Sequence, residues 1–272
     1  MIPSTYDISG ENIARFIEII KRKYKIDFSG YSLSFLRRRI ASRMNRTKIT
    51  SVEEYYNYLQ NSPQELSLLL QNLTINVSEF MRNPEVFDII QAKLIPELLK
   101  KFPDETIKIW TAGCSRGEEP YSVAIVLHRL GIISPERAKI IATDIDEVAL
   151  SEAREGIYQA QSLKNLSDSD KKIFFRRTSD GRFKIVPSVK KMVAFKRHNI
   201  VADGMIDRFH LIICRNVAIY LGKQFQRKMY NRLINDLISG CYLIIGKSEM
   251  LPSEFHSAMT PFDLENRIYQ KV

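Results

Sequence analysis

The sequence predicts an α/β fold, a mostly parallel sheet with helices on both faces, preceded by a small all-helical domain. Three observations predict it. Up to about residue 102, apolar residues recur at helical spacing. Beyond residue 103, short β-prone runs alternate with helical stretches, as strands joined by crossover helices do. Between those strands, Ser179-Asp180-Gly181 divides two short runs, and Asp-Gly in that setting signals a hairpin.

Residues 12–24 are the first predicted helix, with Ile13, Phe16, Ile17 and Ile20 on one face. Residues 32–45 are the second, with an apolar stripe of Leu33, Leu36, Ile40 and Met44. On it Arg39, Arg43 and Arg46 fall within an arc of about 60° and form a basic ridge beside the stripe. Residues 52–59 and 63–73 read as two more helices behind Ser or Asn caps. The expected organisation is a basic helical domain over 1–72, a linker over 73–83 and the α/β domain over 84–272. In the last, 107–111 and 139–143 are strands, separated by a loop at 113–117 and a helix over about 120–130. A helix over 148–155 follows. Runs 173–175 and 182–186 then make the hairpin of an antiparallel subdomain over about 172–190. Residues 192–196, 209–213 and 241–245 are further strands, 224–238 a helix, and 267–272 a final edge strand.

Hydrophobic residues make up 44% and charged residues 26%, ordinary values for a soluble globular chain. No stretch approaches the ~20 apolar residues that cross a bilayer, so no membrane insertion is expected. The first ten residues lack a basic-then-apolar export pattern, so a cytoplasmic setting is the expectation. Cys114, Cys214 and Cys241 are far apart and the four histidines are scattered, which predicts neither a disulfide framework nor a metal site. The net charge of +10 favours nucleic acid, a membrane surface or an acidic protein face as partner. The excess concentrates between Lys21 and Lys48, where ten Lys and Arg residues face Asp27 alone.

Ligands of open α/β sheets bind beyond the carboxyl ends of the strands, and three such ends carry suggestive residues. After the first strand stands Ala112-Gly113-Cys114-Ser115-Arg116-Gly117-Glu118-Glu119-Pro120. Its small residues let a ligand approach the backbone, and its carboxylates suit a cationic group. Asp144-Ile145-Asp146 follows the second strand, and an acid there suits ribose hydroxyls. Cys214-Arg215-Asn216 and then Tyr220 follow the fourth. Singly, each is compatible with a turn, a helix cap or a structural pair. The first loop lacks the Gly-Lys-Ser/Thr of a phosphate binder, and two carboxylates would repel a pyrophosphate. A ligand with ribose hydroxyls and a positive end fits better, and S-adenosylmethionine has both.

Residues 109–122, Ile109-Trp110-Thr111-Ala112-Gly113-Cys114-Ser115-Arg116-Gly117-Glu118-Glu119-Pro120-Tyr121-Ser122, closely resemble the signature loop of CheR-type chemotaxis receptor methyltransferases. Leu73-Thr74-Ile75-Asn76-Val77-Ser78-Glu79-Phe80-Met81-Arg82 resembles that family's segment between its helical and catalytic domains. Ala142-Thr143-Asp144-Ile145-Asp146, Cys214-Arg215-Asn216-Val217-Ala218-Ile219-Tyr220 and Gly246-Lys247-Ser248-Glu249 follow in the family's order. The sequence departs from the family at Ser78 (usually Thr), at Met81 (usually aromatic) and at Ile238-Ser239-Gly240-Cys241, which lacks a Pro-Gly-Gly turn. The short hairpin resembles members that use no receptor C-terminal pentapeptide as a tether.

The resemblance implies a Rossmann-like domain that transfers a methyl group from S-adenosylmethionine to receptor glutamates, leaving S-adenosylhomocysteine. It implies that Asn76, Ser78 and Arg82 close over the cofactor and that Asp144 holds the ribose. One of Glu118 and Glu119 contacts the cofactor, with Glu119 favoured by spacing. Asn199 and Ile200 flank the adenine, Arg215 and Asn216 line the methionine end, and Arg82 and Tyr220 orient the substrate. Arg39, Arg43 and Arg46 would dock on the acidic methylation helices in the cytoplasmic part of the receptors. A monomer working at membrane receptor arrays is expected, with no nucleic-acid partner, since the Asn/Asp-Pro-Pro-aromatic motif of base amino-methyltransferases is absent. Two other readings stay open: methylation of another acidic partner, and a non-catalytic adaptor that binds cofactor or receptor.

Overall fold

The computed structural model describes residues 7–74 and 78–272 and divides into two compact units. The first comprises Met1–Asn76 and Tyr220–Gln226; the second comprises Val77–Ile219 and Arg227–Val272.

Four helices build the first unit: α1 (Gly10–Tyr24), α2 (Leu33–Thr47), α3 (Val52–Asn61) and α4 (Pro63–Leu73). Each starts on a serine, Ser9, Ser32, Ser51 or Ser62, whose side chain accepts a backbone N–H of the first turn. Pro63 opens α4, where its missing N–H costs nothing. The expected faces are buried: Ile13, Phe16, Ile17 and Ile20 on α1, and Leu36, Ile40 and Met44 on α2. Leu33 departs from the expected stripe. It lies in the first turn of α2 and is exposed, while Phe35 is buried instead.

Arg43 also departs, because it is buried rather than on a solvent-facing ridge. Its Nε and Nη2 donate to the two carboxylate oxygens of Glu65 at 2.9 and 2.6 Å, and the Tyr55 hydroxyl donates to the same carboxylate at 2.8 Å. The arc on α2 is correct, but α4 packs over its middle and supplies the counter-ion. Arg46 remains exposed, and Arg39 lies half-buried with its guanidinium 5.4 Å from the Phe35 ring centre.

In the second unit α5 (Pro84–Ile89) runs through a π-helical turn into α6 (Ile95–Lys101). The sheet strands are β1 (Ile107–Ala112), β2 (Ala138–Asp144), β6 (Val193–Arg197), β7 (Phe209–Cys214), β8 (Leu237–Ile245), β9 (Met259–Asp263) and β10 (Ile268–Lys271). Their order is β6-β2-β1-β7-β8-β10-β9, with β6 to β8 parallel and the last two antiparallel. Helices α7 (Glu118–Arg129), α8 (Glu147–Glu155) and α11 (Lys223–Asp236) connect strands. From β1 the chain first builds outward through β2, then crosses back to β7, so strand order reverses between β1 and β7. That switch is where a doubly wound sheet opens a crevice for ligands.

A separate antiparallel sheet, in order β3-β5-β4, comprises β3 (Ile157–Tyr158), β4 (Phe175–Arg177) and β5 (Phe183–Ile185). The hairpin is present, but its first run shifts. Ile173 and Phe174 belong to the last turn of helix α9 (Asp168–Phe174), which Ser167 caps and Asp168 and Asp170 favour in the first turn. The remaining helix, α10 (Pro187–Lys190), follows this sheet. Strand β10 is not the edge: β9, broken in pattern by Pro261, lies outside it, and proline is tolerated in edge strands. The predicted helix over 224–238 ends at Asp236, and β8 begins at Leu237. Pairing jumps from Phe209–Leu237 to Leu211–Tyr242, so the Ile238-Ser239-Gly240-Cys241 stretch bulges within β8. No described helix is long and apolar enough to cross a membrane.

Candidate functional site

The loop between β1 and α7 is shaped by backbone that few residues adopt. Gly113, Ser115 and Gly117 have φ of 75°, 50° and 89°. A Cβ on Gly113 would stand 2.4 Å from Val217 Cγ2, so only glycine fits between the loop and the segment after β7. Gly113 and Cys114 N–H both donate to the Thr143 carbonyl, at 2.8 and 2.9 Å, which ties the loop to the end of β2.

Asp144, the last residue of β2, finishes that tie. Its Oδ2 accepts the Ser115 N–H at 2.8 Å and its Oδ1 the Asp146 N–H at 3.0 Å. Burial pushes its carboxyl pKa up while these two amides pull it down. Each oxygen keeps lone-pair capacity for one more donor, the arrangement a pair of ribose hydroxyls requires. The His198 N–H donates to the Asp144 carbonyl at 3.0 Å, which brings Asn199 and half-buried Ile200 beside this strand end. The Asn199 Oδ1 is spent on its own turn, accepting the N–H groups of Val201 and Ala202.

The two adjacent glutamates of α7 differ. Glu119 receives Arg215 Nη1 at 3.2 Å, and the charge of Arg82 bears on it as well. Glu118 is buried, bonded to the Ser78 side chain, and its Oε2 has no partner among the described residues. Preference by spacing favours Glu119, but the oxygen in need of a partner is on Glu118. Burial lifts the Glu118 carboxyl from 4.5 to about 7. Between those values the folded protein binds more protons than the unfolded chain, so stability falls as pH rises through the window. We expect Glu118→Gln to gain on the wild type by about 2.5 kcal/mol between pH 5 and 8, read from denaturation of the ligand-free protein at each pH. A constant difference would mean that the buried carboxylate ionises without cost.

Arg215 and Asn216 follow β7 at the switch. Arg215 is buried, its Nη2 donates to Asn83 Oδ1, and its Nε has no partner among the described residues. Asn216 has φ 61°. Its N–H and that of Gly246 donate to Glu249 Oε2, at 3.0 and 2.6 Å, so Glu249 pins the strand ends of β7 and β8 together. The motifs read from sequence include Glu249 and Ser122 without a role for either, and leave out Asn83. Each has one partner far away in sequence, Asn216 for Glu249, Met81 for Ser122 and Arg215 for Asn83, where no spacing rule reaches.

Arg82, Ser78, Glu118, Glu119, Asp144, Arg215, Asn216, Ala112 and Gly113 thus belong to one unit, around the carboxyl ends of β1, β2 and β7. Tyr220 belongs to the other. Its ring packs 5.1 Å from that of Phe35, and its carbonyl accepts the Ser32 N–H. Asn76 lies outside the described residues. Among the described residues no group of His, Cys, Asp or Glu could hold a metal ion.

The residues present fit S-adenosylmethionine: a carboxylate at Asp144 with acceptor capacity to spare, a loop open to close approach and, among the described residues, an unmatched buried acceptor on Glu118 and an unmatched buried donor on Arg215. Comparison with known proteins agrees. Residues 76–266 match the family description "CheR methyltransferase, SAM binding domain", and residues 11–74 match "CheR methyltransferase, all-alpha domain". A chemotaxis protein methyltransferase of Listeria innocua serovar 6a is 32% identical over 259 residues, covering 94% of this chain and 96% of the relative. One from Borreliella burgdorferi is 32% identical over 258 residues, covering 90% of each. Chemotaxis protein methyltransferase 2 of Vibrio cholerae serotype O1 is 29% identical over 250 residues, covering 90% of this chain and 87% of the relative.

Proposed function

The chain belongs to the CheR methyltransferase family, and on that premise we propose that it esterifies the γ-carboxylates of glutamates on acidic helices of chemotaxis receptors. It is an S-adenosylmethionine-dependent methyltransferase of the chemotaxis type. The observation that carries the finer reading is the charge arrangement at the switch, where two arginines bear on one half-buried glutamate. Such a site has cationic positions for an acceptor carboxylate and needs no general base, because a glutamate side chain with a reference pKa of ~4.3 is already ionised at neutral pH.

When bound, S-adenosylmethionine supplies a methyl group on a sulfonium, open to direct attack by a carboxylate oxygen. The residues of the chain hold and exclude. Asp144 takes the ribose hydroxyls, and Asn199 and Ile200 flank the adenine. Glu118 accepts a donor from the cofactor, Arg215 and Asn216 line its methionine end, and Ala112 and Gly113 allow close approach. Ser78 and Arg82 cover it and Arg82 orients the incoming carboxylate; for Asn76 and Tyr220 the corresponding roles rest on the family resemblance alone. Positioning and the exclusion of water then supply most of the rate.

Docking falls to exposed Arg46 and half-buried Arg39, since Arg43 is committed to Glu65. Raising ionic strength from about 0.01 to about 0.1 M shortens screening from ~30 to ~10 Å. The KM for receptor is expected to rise with salt while the KM for cofactor stays flat, and Arg46→Glu should flatten the receptor dependence. An unchanged salt slope in that variant would move docking elsewhere.

The central test is transfer of radiolabelled methyl to receptor-containing membranes. Wild type should deposit base-labile label, and Arg82→Ala and Tyr220→Phe should both slow it, Arg82→Ala by about tenfold or more, as when one hydrogen bond to a charged group is lost. Wild type that binds the cofactor but labels no receptor would overturn the substrate assignment.

A further inference from the structure

Arg82 sits between two residues with left-handed backbone, Met81 at φ 50° and Asn83 at φ 62°. Neither is glycine, and such conformations persist in other residues only where their surroundings hold them. Met81 is held by its N–H, which donates to Ser122 Oγ at 2.9 Å; that hydroxyl donates in turn to the Glu118 carbonyl at 2.7 Å. The carbonyls of Phe80 and Met81 accept Asn165 Nδ2 at 3.3 and 3.4 Å, and the Phe80 N–H donates to the Ser162 carbonyl.

Asn83 is the informative one. It occupies the N-cap of α5, where an asparagine normally has extended backbone and spends its side-chain oxygen on an N–H of the first turn. Here it does neither: the backbone is left-handed, no capping bond forms, and Oδ1 accepts Arg215 Nη2 instead. The other terminal nitrogen of the same guanidinium, Nη1, goes to Glu119, on which the charge of Arg82 also bears. One amide thereby links the backbone that carries Arg82 to the arginine at the end of β7.

We infer that Asn83 is a positioning residue for methyl transfer, fixing Arg82 relative to Arg215 through its side chain and its left-handed backbone together. The inference rests on the roles proposed above for those two arginines. Asparagine meets both demands, since it tolerates the left-handed region and supplies an acceptor. Aspartate meets both as well, glycine only the backbone demand, and alanine neither.

The test uses the full chain and the variants Asn83→Asp, Asn83→Gly and Asn83→Ala, each alone and with Arg82→Ala. It reads kcat and KM for transfer to receptor membranes, the Kd for S-adenosylhomocysteine by calorimetry, and the melting temperature. Losing an acceptor for a charged donor should cost Asn83→Gly roughly tenfold in kcat/KM, mainly in kcat. Asn83→Ala should lose more, and Asn83→Asp should recover to within about threefold, the scatter expected when both demands are still met. In the Arg82→Ala background Asn83→Gly should add less than about twofold, because the two residues act as one unit. An equal loss in both backgrounds, or Asn83→Asp behaving like Asn83→Ala, would reduce Asn83 to a structural residue. If wild type labels no receptor, the substrate reading has failed and the cycle is read on the S-adenosylhomocysteine Kd. Non-additive losses there support the positioning role, and additive or absent losses overturn it.

Discussion

Glu65→Ala is expected to destabilise the helical unit by about 3–5 kcal/mol, the usual cost of stranding a buried charge. The substitution removes the acceptor of two guanidinium bonds and of the Tyr55 hydroxyl at once. Arg43 cannot escape by losing its proton, since a guanidinium stays charged at any ordinary pH and Glu65 raises its pKa further. Its stem is packed in the core, so the charge cannot swing out to water without opening α2 from α4. Replacing both partners, as in Arg43→Met with Glu65→Leu, should recover most of the loss, because an apolar pair needs no counter-ion. Two units need not unfold together, so a single denaturation midpoint is the wrong measure. Hydrogen exchange of the slowest α2 and α4 amides gives the opening free energy of this unit directly. A loss below about 1 kcal/mol, typical of surface pairs, would show that the guanidinium finds water.

The same ion pair shows where sequence reading stops. The period of α1 and α2 is local, so the buried faces of Ile13, Phe16, Ile17, Ile20, Leu36, Ile40 and Met44 were legible from spacing alone. The arc of Arg39, Arg43 and Arg46 was equally legible, but which part of it α4 covers depends on a contact 22 residues away. Strands β1, β2 and β7 announced themselves because parallel strands buried on both faces read as continuous apolar runs. Strand β9 did not, since a proline in Met259–Asp263 reads as a break unless the strand is known to be an edge. Ile173 misled for a related reason: β-branched and apolar, it favours a strand, yet the Ser167 cap had already started a helix. At the site, residue types at strand ends suggested the ligand chemistry. The choice between Glu118 and Glu119 needed the long-range fact that Arg215 reaches one and not the other.

Asp144→Ala is expected to weaken S-adenosylhomocysteine binding by about 10²-fold or more, since two bonds to a charged acceptor are each worth about 1.5–3 kcal/mol. Two effects combine. The ribose hydroxyls lose their proposed acceptor, and the Ser115 and Asp146 N–H groups lose theirs, so the loop after β1 and the start of α8 lose their common anchor. For the second reason Asp144→Asn should be almost as damaging. Its single oxygen can satisfy only one of the two amides, and whichever way the side chain turns, its NH₂ confronts the N–H of the other. Calorimetric titration with S-adenosylhomocysteine distinguishes the contributions when paired with exchange rates of the Ser115 and Asp146 amides. Faster exchange in both variants with a matching loss of affinity would mean that the carboxylate acts on the loop as well as on the ligand. Affinity within about threefold of wild type in Asp144→Ala, well below the value of even one such bond, would show that the ribose is held elsewhere and that Asp144 serves only the backbone it already binds.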